Sequence, residues 1–198
     1  MPRLVDHEAR RVAIAEAVWR VILRDGLARA SVREVARESG LSAGSLRHVF
    51  ASQAELMAFS MRLVAERIEA RVRALRPSGD VRRDAEAAID ELLPLDDDRR
   101  AEAEVWLAFA GQALVDERLR ALREEVDGRL HGFYRTLIDA LAAGGALRAG
   151  ADRALEAERL GAVIDGLVVH ALMRPDRADP ALQRAVIAHH LDSLAPGG

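Results

Sequence analysis

The side chains best suited to chemistry in this sequence gather between Ser31 and Gln53. Gly40-Leu-Ser42-Ala-Gly44 has the literal form Gly-x-Ser-x-Gly, which in α/β-hydrolases holds a nucleophilic serine on a strained turn between strand and helix. That chemistry needs a buried strand ahead of the serine and a parallel sheet around it. Residues 31–39 read as helix instead, so the match carries no catalytic expectation. The six histidines are scattered, and the adjacent pair His189-His190 points to different sides of a helix. Cysteine is absent, which excludes disulfides, thiol nucleophiles and thiolate metal sites; no metal or cofactor is expected. What remains is a set of small or hydrogen-bonding groups alternating with apolar anchors: Ser31, Val32, Arg33, Ser42, Ala43, Gly44, Ser45, Arg47, His48 and Gln53. Such groups suit a surface laid against nucleic acid, with hydroxyls and arginines for phosphates, glycine for close backbone approach and arginine for a guanine edge.

The elements that must position these groups are helical. Half of the residues are hydrophobic but only 4% are aromatic, and Ala, Leu, Arg and Glu dominate, so the fold class expected is all-α. A first helix is expected from about His7 to Arg24, capped by Asp6, with Val12, Ile14, Val18, Val21 and Ile22 inward and Gly26 ending it. Ser31-Val-Arg-Glu34 has the form of a capping box for a short second helix that stops at Gly40. Leu41 then plugs inward, and Ser42 caps a third helix anchored by Leu46, Val49 and Phe50. Two short helices about a glycine turn make a helix-turn-helix, whose second helix enters the major groove of DNA. Arg47 and His48 are then the expected base readers, while Ser31 and Arg33 hold phosphates. A second capping box at Ser52–Glu55 opens a long helix ending at Arg76-Pro77-Ser78-Gly79. Further helices are expected at about 81–93, 100–115, 117–143, 153–173 and 180–194.

Charge is distributed in the same sense. The formal net charge is −3, yet residues 1–60 carry nine Arg against seven acids, and all 29 basic residues are Arg. No apolar run approaches the roughly 18 residues of a membrane span, and Met1–Asp6 begins no signal peptide, so a cytoplasmic protein is expected.

Ile14, Ala17, Gly26, Val35-Ala36, Gly40-Leu41-Ser42, Gly44, Phe50 and Glu55-Leu56 fix identities and spacings together over some forty residues. In this, residues 10–59 resemble the DNA-binding domain of the TetR family of transcriptional regulators. The run Leu41–Phe50 is similar to the branch that includes the choline/betaine repressor. Arg47 stands where the family usually has a phosphate-contacting Tyr, and Gln53 where it usually has Lys. Leu160-Gly-Ala-Val-Ile-Asp-Gly-Leu167 resembles the penultimate helix of many relatives. The resemblance implies a DNA-binding domain at 1–52 and a helical domain at 53–198 that binds a ligand and dimerises.

Candidate ligand residues are the large or polar groups set among small ones: Met61, Trp106, Phe109, Gln112, Phe133, Tyr134, Asp165 and His170. For the dimer interface the last two helices are expected to pair with their symmetry mates through Leu160, Leu167, Val168, Leu172, Val186 and Leu191, because both are apolar on more than one side. The function these readings imply is a homodimeric, ligand-released repressor of a near-palindromic double-stranded operator. The alternative is a helical-bundle small-molecule-binding protein or enzyme without operator binding, against which stand the capped helix pair and the lack of a convergent nucleophile, base and metal set.

Overall fold

The structure is a computed structural model. It describes the backbone of residues 2–177 and 179–197; the side chains of residues 2–9, 28 and 177 lie outside the described residues. Nine α-helices and no strand occur among the described residues, so the all-α expectation holds. They are α1 (Pro2–Asp25), α2 (Val32–Ser39), α3 (Ala43–Arg47), α4 (Gln53–Ala74), α5 (Val81–Asp90), α6 (Asp97–Ala113), α7 (Arg120–Ala143), α8 (Arg153–Met173) and α9 (Pro180–Asp192). No helix among the described residues is long and apolar enough to cross a membrane. The chain forms two compact units, one of residues 1–66 and 104–120, the other of residues 67–103 and 121–198. The residues of α4 and α6 are divided between them.

In the first unit, α1 packs on α2, and α2 on α3, around Ile14, Val18, Val21, Ile22, Val35, Leu46 and Phe50, all buried. Fully burying a side chain such as Leu46 stabilises by roughly 1.5–3 kcal/mol. The Phe50 ring meets Phe59 of α4 edge-on at 5.1 Å, which fixes the end of the α3 segment. Glu38 of α2 receives Arg20 Nε at 2.9 Å and Arg24 Nη1 at 2.7 Å, clamping α2 to α1. Three expectations are corrected here. The first helix starts at Pro2, so Asp6 lies inside it and cannot cap it; the Asp6 side chain is outside the described residues. Val12 and Val49 are exposed rather than inward. For Val49 the reason is that α3 ends at Arg47 and the chain turns there, so helical spacing no longer sets its direction.

In the second unit, α9 packs on α5 and α8. Buried charge organises the ends of α4, α5 and α6. Glu102 is buried and receives Arg71 Nη1 at 2.8 Å, Arg71 Nη2 at 2.5 Å and Arg67 Nε at 3.1 Å. Glu91, buried as well, receives Arg71 Nε at 2.7 Å and both oxygens take Arg99 Nη2. Paired bidentate arginines are what allow carboxylates to sit this deep.

The expected dimer residues divide. Leu160, Val168 and Leu191 are buried in the chain's own core, which corrects their assignment to an interface. Leu167 and Leu172 are half-buried. Val186 is exposed, together with Leu155 at 63%, Met173 at 70% and Leu182 at 55%. Helical apolarity all round is thus split: one side of α8 and α9 fills the protomer, and a different side remains uncovered.

Candidate functional site

The α2–α3 segment is built by its caps. Ser31 Oγ accepts from Glu34 N at 3.3 Å, and Ser42 Oγ accepts from Ser45 N at 3.0 Å. The first capping box is half formed, because the Glu34 carboxylate turns to Arg37 at 2.8 Å instead of reaching back. Each capping hydroxyl accepts through its oxygen, so its hydrogen stays available to donate to a phosphate. Between the helices Gly40 adopts φ 69°, a left-handed conformation that a side chain would strain. The turn therefore has a backbone reason for glycine.

Gly44 has none. A Cβ there would meet only Ser42 Oγ at 3.9 Å, and the backbone is helical. An exposed helical glycine costs about 1 kcal/mol relative to alanine, a cost that the exposed helical Gly111, Gly128 and Gly132, equally uncrowded, share. Around Gly44, Ser42, Ala43, Arg47 and His48 are exposed, and Arg33 is exposed on α2. Neither Arg33, Arg47 nor the nearby Arg29 is ion-paired to any described residue, whereas Arg20, Arg24 and Arg37 of the same unit are. Unpaired guanidiniums beside an uncrowded backbone form an anion-facing surface. Val32 and Ser45 are half-buried at its edge. Gln53 is committed in part: its Nε2 donates to the Ala30 carbonyl at 2.8 Å, tying α4 to the chain ahead of α2. Nothing in the spacing announced that bond.

The ligand candidates are not one cluster within either unit. Met61, Trp106, Phe109 and Gln112 belong to the first unit, where Met61 and Phe109 are core, Trp106 is half-buried and Gln112 is exposed. Phe133, Tyr134, Asp165 and His170 belong to the second. There Tyr134 of α7 is buried, its ring lies edge-on to Phe133 with centroids 5.9 Å apart, and it packs on Gly161 of α8. Asp165 is one turn beyond Gly161 and half-buried, while His170 is exposed. Burial, then the Asp165 charge, push the Tyr134 hydroxyl well above its ordinary value. Burial, then the charge of Asp127, push the Asp165 carboxyl up. Asp127 was not anticipated, although it shares a face of α7 with Tyr134, seven residues on.

Residues 14–59 match the family described as bacterial regulatory proteins, tetR family. Residues 81–196 match the BetI-type transcriptional repressor, C-terminal family. The chain belongs to the TetR family. Among its TetR-family relatives, the HTH-type transcriptional regulator PksA of Bacillus subtilis is 40% identical over 98% of this chain and 94% of its own. A crystal structure of a transcriptional regulator from Rhodococcus is 29% identical, with TM-score 0.78 over 93% of this chain and 95% of that one. A regulator from Saccharomonospora viridis, solved in complex with choline, is 25% identical, with TM-score 0.74 over 94% of this chain and 95% of that one. This TetR-family chain is a helix-turn-helix transcriptional regulator and not an enzyme.

Proposed function

We propose that this regulator is a repressor that binds a near-palindromic operator as a homodimer and releases it when a small molecule occupies the helical domain. The observation that carries the DNA half is the α2–α3 surface, where Arg33 and Arg47 stand exposed, with no ion-pair partner among the described residues, beside a glycine that no packing requires. Arg47 and His48 are the groove readers, and Ser31, Ser42 and Arg33 hold phosphates. Dimerisation falls to the exposed apolar side of α8 and α9, including Leu155, Met173, Leu182 and Val186, which a single chain leaves in water. Ligand response is supported by the choline complex of a similar regulator and by the buried aromatic and acidic groups of α7 and α8. An inducer must bind the DNA-incompetent state more tightly, because the two affinities are linked reciprocally.

The test is recovery of bound genomic fragments followed by fluorescence anisotropy on the recovered duplex. A shared two-fold motif with one dimer per site is expected. Absence of any enriched fragment, with the protein folded and dimeric, would defeat the repressor reading.

A further inference from the structure

The inward face of α9 carries two polar side chains where apolar ones would pack better. Gln183 is 5% exposed, and both its amide nitrogen and its amide oxygen are enclosed without a hydrogen-bond partner among the described residues. His190, seven residues on and so on the same face, is also 5% exposed, and its Nε2 is enclosed in the same way. Ile187, Leu191 and Leu194 beside them are core. Enclosed polar atoms without partners weaken the packing of the surface that bears them. The helix that presents Leu182 and Val186 outward is thus seated on a partly unfavourable face.

Its C-terminal end is held by arginines. Glu156 of α8, 4% exposed, receives Arg148 Nη2 at 2.5 Å and Arg159 Nη1 at 3.2 Å. The same two arginines reach the end of α9: Arg148 Nη1 donates to the Ser193 carbonyl at 2.7 Å, and Arg159 Nη2 donates to Ser193 Oγ at 2.8 Å. Ser193 Oγ donates in turn to the His190 carbonyl at 2.6 Å, so one hydroxyl separates a guanidinium from the His190 backbone. From α5, also packed on α9, Arg82 donates to the Ala188 carbonyl at 2.8 Å and to Asp192 at 2.5 Å; Glu86 accepts from Arg82, and Asp90 from Arg184. Each of these carboxylates already serves an arginine. A neutral imidazole fits this place. An imidazolium donates from both nitrogens, and its Nε2–H is enclosed without an acceptor. Burial foremost, then Arg159, hold the imidazole below the ordinary histidine range, against the opposing charge of Glu156.

We propose that His190 is an acid-sensitive fastening for α9: the neutral ring lets the end of the helix lie against α8, and protonation lifts that end into water and loosens the face that carries Leu182 and Val186. The consequence for association rests on the dimer reading above. With the folded-state value below the unfolded one, the stability tied to His190 is complete above the unfolded value of about 6.5 and is lost as pH falls through the lower folded one.

The test compares the full-length natural protein with His190→Gln and Gln183→Met at pH 7.5 and pH 5.5; His190→Asn replaces His190→Gln where circular dichroism shows the latter unfolded. Between the two pH values, hydrogen-exchange protection of α9 amides, corrected for intrinsic rates, should fall about tenfold more than that of α7 in the natural protein and in parallel with α7 in His190→Gln. Carbon-13 histidine spectra, with the His190 signal identified by its loss in the variant, should show it titrating below about pH 6.5. Gln183→Met removes the other unpartnered group and no titrating one, so it should leave the acid loosening in place. Protection of α9 that follows α7 in the natural protein, loosening undiminished in His190→Gln or abolished by Gln183→Met, or a His190 signal titrating higher would each overturn the proposal. Sedimentation rather than operator affinity follows association on the same samples, because the reading surface has a histidine of its own, His48. A dimer lost in step with α9 protection upholds both readings. Loosening of α9 with the dimer intact upholds the fastening and removes this face from the dimer reading, whereas a dimer with α9 seated firmly at both pH values sinks the fastening alone.

Discussion

Two glycines of helical backbone show how differently one residue type can be constrained. At Gly161 the constraint is internal, because a methyl group would collide with the Tyr134 ring. Gly161→Ala should therefore destabilise the protein by about 1–3 kcal/mol, the usual cost of overpacking, measured by urea unfolding. At Gly44 no neighbour objects. Gly44→Ala should raise stability by up to about 1 kcal/mol and at the same time weaken operator binding, because only the DNA needs that space. A variant more stable and equally tight would show that Gly44 faces solvent alone. For Arg47 the distinction lies in sequence dependence. Arg47→Ala should cost about 1–3 kcal/mol and relax preference at one base pair per half-site, whereas a uniform loss across sequences would assign it to phosphate.

At the scale of elements, α2 is held from outside as much as by its own short stripe. Its anchor Glu38 accepts from Arg24 and Arg20, and those bonds, the Arg24 bond foremost, hold its carboxyl below the ordinary glutamate range. A folded-state value below the unfolded one contributes stability that is complete above the unfolded value and is lost as pH falls through the folded one. Thermal unfolding between neutral pH and about pH 3 should thus fall more steeply for the natural protein than for Glu38→Gln; parallel curves would remove the clamp from the account. The caps act on the same elements. Ser31→Ala and Ser42→Ala should each cost about 1 kcal/mol, and each should also reduce DNA affinity because the same hydroxyl keeps a hydrogen to donate.

At the scale of the whole molecule, the proposed homodimer would use one side of α8 and α9. Leu191 and Val168 line the protomer's core, so placing Asp at either should unfold the chain. Leu182→Asp with Val186→Asp changes only exposed positions, and should give folded monomers that lose operator affinity although α2 and α3 are untouched. Sedimentation and circular dichroism separate the two outcomes; a double variant that still sediments as a dimer would move the interface elsewhere. Affinity for DNA should fall with salt despite the acidic total charge, with a logarithmic slope of about −0.9 for each phosphate neutralised. Arg29, Arg33 and Arg47, which have no ion-pair partner among the described residues, are expected to carry this dependence.

Helical periodicity, the Ser31 and Ser42 caps and the Gly40 turn are local properties, and local properties are written in consecutive residues. From them the all-α class and the helix-turn-helix could be read, and the spacing of Gly40-Leu41-Ser42 with Glu55-Leu56 carried the family. Which side of an apolar helix is spent inside the chain is a different kind of question. Leu160 and Leu155 of α8 are equally hydrophobic, yet one is fully buried and the other mostly exposed, because α9 and α7 occupy only part of the helix's circumference. Val49 sits at helical spacing from Leu46 but beyond the end of α3, so the turn and not the period directs it. Likewise Tyr134 and Gly161 lie far apart in sequence, and only tertiary packing sets the ring of one against the backbone of the other. Sequence determined the elements. Tertiary packing decided which apolar and polar groups were left without partners, since burial and long-range charge depend on what other segments bring, and no local pattern records that.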